Sequence, residues 1–307
     1  MLGEFASDAV RNRVLVMRTL PHLAALDEDD LSLLAEEARL SLARRGAVLF
    51  HEGEALDRVY FLAEGSVRVR RGAASSTVTA PAELGLTSLF AGLEQAKEAV
   101  AVTDATLIEL PASVVLASFY ESPSIARNTI RMAARALLAR RGNLPVAPGE
   151  APAEVAPGEY LDRTPTLVEK MLVMRRSPVW AHASLDAVAE LCRHLEELRV
   201  PAGELLWDIG APSDQSYRLE HGIVRCENAK GEVARVGGGH LIGGLDALAG
   251  LPRAYRALTE VPCIFFRIRA STQLAILEVH PQMAARLRLE LARALVEEQE
   301  REAAAGR

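Results

Sequence analysis

Residues 45–69 read RGAVLFHEGEALDRVYFLAEGSVRV, and 157 positions further on residues 202–226 read AGELLWDIGAPSDQSYRLEHGIVRC. Laid over one another without a gap, the two share Gly46/Gly203, Leu49/Leu206, Gly53/Gly210, Asp57/Asp214, Tyr60/Tyr217, Leu62/Leu219, Gly65/Gly222, Val67/Val224 and Arg68/Arg225. Shared composition does not produce that density of matches in register. Upstream, Leu15-Val16-Met17-Arg18 and Pro21 return as Leu172-Val173-Met174-Arg175 and Pro178. Downstream the offset becomes 158, pairing Pro123 with Pro281 and Ala134-Arg135-Ala136-Leu137 with Ala292-Arg293-Ala294-Leu295. A period this long means tandem domains rather than a solenoid.

Each copy carries the same order of signals. A helix ends before a proline. A second helix follows, capped by Asp27 and continuing through Leu31, Leu34 and Leu40, or capped by Ser184 and continuing through Val188, Leu191, Leu195 and Leu198. Short strand-like runs broken by glycine come next. Ser66-Val67-Arg68-Val69-Arg70 alternates as a half-buried antiparallel strand does, and residues 263–268 (CIFFRI) close the strands of copy two. A last helix starts near Pro123 or Pro281, with apolar stripes Ile125, Thr129, Ala133, Leu137 and Met283, Leu287, Leu291, Leu295. Residues 142–164, rich in Pro, Gly, Ala and Glu, suit a semi-extended tether, and the polar tail after Val296 suits a frayed end. The expected division is therefore 1–141, a linker over 142–164, and 165–307.

A chain of 307 residues, half of them hydrophobic and a quarter charged, suffices for two full cores. A formal charge of −6 argues against a general nucleic-acid binder. No apolar run reaches the length of a membrane span and the N-terminus lacks the apolar core of a signal peptide, so no membrane partner and a cytoplasmic location are expected. Cys192, Cys226 and Cys263 have no metal-type spacing and read as small core residues; Cys192 aligns with Ala35 and Cys226 with Val69. The seven histidines form no HxH or HExxH pattern, so neither a metal nor a cofactor is expected. No nucleophile elbow is present, and the chain reads as a non-enzyme.

One further stretch, residues 241–259 (LIGGLDALAGLPRAYRALT), has the makings of a phosphate cassette. Its glycines let backbone N–H groups approach a ligand, a short helix follows, and Arg253 has the fork to hold a phosphate. With the repeated G-x-x-L-F-x-E-G-(five residues)-Y-x-x-x-x-G-x-V-x-V motif, it resembles the cyclic nucleotide-binding domain family, whose cassette is written FGE(L/I)AL…PRAAT. The resemblance covers about residues 14–141 and 166–301. It implies two eight-strand jelly rolls, mainly β with flanking helices, in a tandem like that of the regulatory subunits of cyclic-AMP-dependent protein kinase. It implies ligand contacts at Ile242, Gly243, Gly244, Leu245, Arg253, Ala254 and Tyr255, with cyclic AMP or cyclic GMP as the ligand. Two departures stand out. Gly244 replaces the glutamate that holds the ribose, with Asp246 two positions further on. In copy one, Leu84-Gly85-Leu86 and Glu94-Gln95-Ala96 lack both the glutamate and the arginine. Sliding copy one to put Glu83 on the glutamate position breaks the repeat register. Arg44-Arg45-Gly46-Ala47 looks like a kinase pseudosubstrate but lies inside the duplicated strands, and we read it as coincidence.

Two functions follow from the resemblance: a regulatory sensor whose second domain takes a cyclic nucleotide and signals by movement of the last helix, or a protein-interaction scaffold with both pockets decayed and Arg253 paired to Asp246. At most one nucleotide per chain is expected. The leucine stripe of the last helix points to a homodimer, an internal pairing of the two last helices being the alternative; the protein partner is unnamed by the sequence.

Overall fold

The computed structural model describes residues 2–20, 23–24, 26–71, 74–94, 98–146 and 163–305. Copy one opens with helices α1 (Leu2–Arg18) and α2 (Glu28–Glu37) and continues through strands β1 (Arg39–Ala43), β2 (Val48–Phe50), β3 (Arg58–Glu64), β4 (Ser66–Arg71), β5 (Ala74–Thr79) and β6 (Ala82–Leu84). Helix α3 (Leu86–Ala91), strands β7 (Glu98–Ala101) and β8 (Ala105–Pro111), and helices α4 (Ala112–Glu121) and α5 (Pro123–Arg140) complete it. Copy two repeats the order: α6 (Leu167–Met174), α7 (Leu185–Arg193), β9 (Glu196–Val200), β10 (Leu205–Trp207), β11 (Gln215–His221), β12 (Val224–Asn228), β13 (Val233–Val236), β14 (Leu241–Ile242), α8 (Gly244–Ala249), β15 (Tyr255–Thr259), β16 (Cys263–Arg269), α9 (Ala270–Val279) and α10 (Pro281–Ala305).

The strands of each copy form two four-stranded antiparallel sheets, ordered β1-β8-β3-β6 with β2-β7-β4-β5, and β9-β16-β11-β14 with β10-β15-β12-β13. The duplication holds at the level of register. Tyr60 pairs with Leu84 and Tyr217 with Ile242, and the ladder irregularities at Leu62/Glu64 and Val48/Phe50 recur at Leu219/His221 and Leu205/Trp207. Bulges are costly local insertions, so their repetition at equivalent positions shows that one backbone was copied. The fold is mainly β with flanking helices, two eight-strand rolls in tandem.

Local chemistry explains the element ends. The Asp27 carboxylate accepts the Asp30 N–H at 2.9 Å, and the Ser184 hydroxyl accepts the Ala187 N–H at 3.2 Å. Thr166 and Glu169 make a reciprocal capping box on α6. Leu40 and Leu198 lie in strands rather than in the preceding helices, because α2 stops at Glu37 and α7 at Arg193. The polar tail is not frayed: α10 continues to Ala305, with Glu298 buried and paired to Arg301 at 3.4 Å. The expected tether also starts later than its composition suggests. Leu144 is fully buried in the copy-two roll core, with Val146 packed on it, and residues 147–162 lie outside the described residues.

Packing divides the chain into two compact units, Met1–Thr129 with Ala292–Arg307, and Ile130–Leu291. Unit 1 buries Phe50, Leu62, Val67 and Leu107 inside its roll, and Met17, Leu31, Leu34, Ile108 and Ala292 in its helical layer. In unit 2 the roll core is Trp207, Leu219, Cys226, Tyr255 and Phe265. The stripe Leu287, Leu291 and Leu295 is buried within the single chain, so it leaves no open apolar face to argue for a homodimer. Cys192, Cys226 and Cys263 are buried free thiols; burial pushes Cys192 and Cys263 up to about 11 and Cys226 higher still, as core residues require.

The repeated Gly65 and Gly222 sit at φ 92° and 104°, and a Cβ there would meet the Asp104 carbonyl at 2.5 Å or the Pro262 carbonyl at 2.6 Å. Gly203 also has positive φ (81°) but open space around it. Gly222→Ala should therefore cost roughly 3 kcal/mol or more, strain plus collision, against about 1 kcal/mol for Gly203→Ala. Denaturant unfolding of the two variants checks the difference.

Candidate functional site

The register that aligns Leu84 with Ile242 also aligns Gly85 with Gly243. Both are left-handed N-caps (φ 90° and 67°), and both cassette helices end on left-handed glycines, Gly92 and Gly250. The cassette backbone is thus the same in the two copies, and the differences lie in side chains.

In copy two, Arg253 is turned inward. Its Nη1 donates to the Gly243 carbonyl at 2.8 Å and its Nη2 to the Gln215 carbonyl at 2.6 Å, leaving the residue 3% exposed. The guanidinium carbon stacks 4.3 Å from the centre of the Trp207 ring, with Tyr217 at 5.9 Å on the same system. Its backbone is fixed as well, the Arg253 N–H donating to Ala211 and the Gly210 N–H donating to the Arg253 carbonyl, both at 2.9 Å. Gly243 is glycine for two reasons: its φ is positive, and a Cβ would collide with Arg253 Nη1. The Gly243 N–H, the donor nearest the helix start, donates to the Tyr255 hydroxyl at 2.7 Å.

Asp246 is buried beside this arginine (1% exposed), but its Oδ2 lies 3.8 Å from Nη1 and makes no hydrogen bond; neither does Arg253 Nε. Oδ1 accepts the Ala254 N–H at 3.4 Å. Burial pushes the Asp246 carboxyl up to about 6, against the opposing pull of Arg253. The expected pairing of Arg253 with Asp246 is present, but as a long, buried contact rather than a surface ion pair.

The seven candidate contacts come together at this one turn, in different roles. Ile242 and Tyr255 are fully buried roll-core residues, with Tyr255 against Trp207 at 5.8 Å. Leu245 is half-buried on α8. Gly244 is not sterically required: a Cβ there would find Ser216 Oγ at 3.6 Å and Leu241 Cβ at 3.9 Å, ordinary contacts. The missing carboxylate is therefore a chemical departure and not a packing necessity. Neighbouring Arg256, also in the cassette sequence, faces solvent and pairs with Asp208 at 2.8 Å. Two partners of Arg253 went unread in the sequence. In the repeat Trp207 falls on the position of Phe50, which marks it only as an aromatic core residue, and a backbone carbonyl such as that of Gln215 leaves no sequence signal.

Copy one closes its cassette differently. The Glu83 carboxylate accepts the Leu86 N–H at 3.2 Å and the Thr87 hydroxyl at 3.3 Å, so a protein anion already covers the first turn of α3. Glu83 stands opposite Phe61, one residue before the position equivalent to Ile242, so the repeat register is kept. Gln95 and Ala96 lie outside the described residues.

Residues 42–120 match the family model of the cyclic nucleotide-binding domain. The match falls on copy one, whose cassette is the more altered; copy two carries the same roll by its topology and register. Among curated proteins, the neuropathy target esterase sws of Drosophila melanogaster is 28% identical over 149 residues, covering 43% of this chain. The chain spans 10% of that relative's length. Among solved structures, the regulatory domain of Toxoplasma gondii PKA with cAMP is 14% identical, covering 87% of this chain and 92% of that one at a TM-score of 0.34. The regulatory subunit of a cAMP-independent protein kinase A from Trypanosoma brucei is 12% identical, covering 96% and 90% at a TM-score of 0.37. Among the described residues, no helix is long and apolar enough to cross a membrane.

Asp246 supplies a pH test. Its folded carboxyl titrates at about 6, above the ordinary value of 3.8, so the folded chain holds the proton to higher pH than the unfolded one. Its contribution to stability is therefore present at low pH, falls as pH rises from about 4 to about 6, and is flat above. Asp246→Asn should remove that slope. The difference in unfolding free energy between wild type and variant, measured from pH 4 to pH 7, checks the sign.

Proposed function

We propose that this chain is a non-enzymatic regulatory protein built of two cyclic nucleotide-binding-type domains, 1–141 and 165–307, joined through 142–164, of which Leu144 and Val146 pack in the copy-two roll. Copy two is its one candidate nucleotide site. The reading rests on the Arg253 guanidinium, which copy two retains at the cassette position of the phosphate ligand. In the closed arrangement that guanidinium is committed to the Gly243 and Gln215 carbonyls. A cyclic phosphate, cyclic AMP or cyclic GMP, must win it from both. Each such charge-assisted bond is worth roughly 1.5–3 kcal/mol, so binding is weak unless the phosphate replaces both. The unpartnered Nε and the long Asp246 contact favour exchange, because they leave the closed state incompletely satisfied.

A second reading, a protein-interaction module with both cassettes closed, is favoured by Trp207, which stacks on the guanidinium and seals it from solvent. It predicts no nucleotide binding at all. Calorimetry of the full chain with cyclic AMP and cyclic GMP separates the two. The sensor reading expects at most one site per chain, weakened about ten- to a hundredfold by Arg253→Ala. Two equivalent sites, or binding indifferent to Arg253, would sink it; silence with both nucleotides selects the interaction module.

A further inference from the structure

The last residue of a helix presents a carbonyl without an intrahelical partner. In the copy-two cassette helix α8 that residue is Ala249, fully buried. The following N–H groups do not serve its carbonyl: that of Gly250 goes to Ala247 and that of Leu251 to Asp246. The Ala249 carbonyl is taken instead by Arg135 of α5, whose Nε donates at 2.8 Å. Beside it, the open face of Gly250 lies 3.5 Å from Arg131 Nε, measured from where a Cβ would stand. All four residues belong to unit 2.

Unit 1 contains the equivalent arrangement. The last residue of α3 is Ala91, also fully buried, and the N–H groups of Gly92 and Leu93 go to Leu89 and Ser88. The Ala91 carbonyl accepts from Arg293 Nε of α10 at 3.4 Å. Ala91 and Ala249 are 158 positions apart, as are Arg135 and Arg293. Two contacts related by the repeat, each made by the last helix of one copy to the cassette helix of the other, are a built feature rather than a chance of packing. A cation at a helix C-terminus also suits the dipole there.

We propose that Arg135 and Arg293 are positioning residues that couple the cassettes crosswise. The second half of α5 follows the copy-two cassette through Arg135, and the second half of α10 follows the copy-one cassette through Arg293. The device does not depend on whether a nucleotide is the natural trigger, since any displacement of α8 or α3 moves the carbonyl that the arginine holds. The shorter contact, at Arg135, is the stronger arm.

Hydrogen exchange on the full chain tests this. Arg135→Gln should raise exchange of the α8 amides and of Leu251 by about tenfold, the loss of one charge-assisted hydrogen bond, and leave α3 unchanged. Arg293→Gln should do the reverse with a smaller effect. The coupling itself is read by disturbing the copy-two cassette. Arg253→Ala, or the near-isosteric Asp246→Asn where that variant does not fold, should change exchange over residues 131–140 of α5 more than over residues 281–291 of α10. The response in α5 should vanish in the Arg135→Gln background. A response in α5 that persists without Arg135, or exchange in α8 indifferent to Arg135→Gln, overturns the proposal.

Discussion

The guanidinium of Arg253 is the point on which the copy-two cassette depends. A buried cation needs compensation, and here the carbonyls of Gly243 and Gln215 and the ring of Trp207 supply it, whereas Asp246 stands too far for a hydrogen bond. That single requirement explains several sequence features at once. Position 243 must be glycine because the arginine occupies the space of a side chain. The Tyr255 hydroxyl accepts the Gly243 N–H, because a buried backbone donor needs a partner. Trp207 in place of the smaller Phe50 of copy one gives the cation a wider face to lie on.

Copy one lacks this cation in its cassette alignment and shows what the same backbone does otherwise. Left-handed glycines still bracket the short helix, and the strand register leading into it is unchanged. An acidic side chain, Glu83, covers the first turn instead. The two copies thus reach closed cassettes by opposite chemistry, one with its own anion on the helix start and one with its own cation on the carbonyls beside it. The duplication thus keeps the backbone of the cassette and exchanges the charges set on it.

Much of this architecture was legible in the sequence because it is set by local constraints. Positive-φ glycines, alternating valines in β4 and the caps Asp27 and Ser184 each act within a few residues, and they repeat in register. The cassette was legible as a place but not as a state. Which way Arg253 turns is decided by a carbonyl at Gln215 and a ring at Trp207, both far upstream, and no local pattern reports them. Composition misled in two places for the same reason. Leu144 follows a helix end and precedes a Pro- and Gly-rich run, yet burial in the roll core fixes it. The polar tail stays helical with Glu298 buried and Arg301, three residues on along the same helix, as its partner, and that burial is what its polar composition does not report.

The leucines of α10 carried an argument for a second chain because an apolar stripe must be covered by something. Within one chain it is covered, and the helix carries further information on its polar edge. Arg135 and Arg293 are exposed over much of their length, so their hydrogen bonds are weak sources of stability compared with the buried leucines. Leucines hold a helix in place without sensing which of several nearby positions a cassette adopts, since burial is non-directional. A single directional bond to an orphan carbonyl makes that distinction, because a shift of about an ångström takes it outside hydrogen-bonding distance.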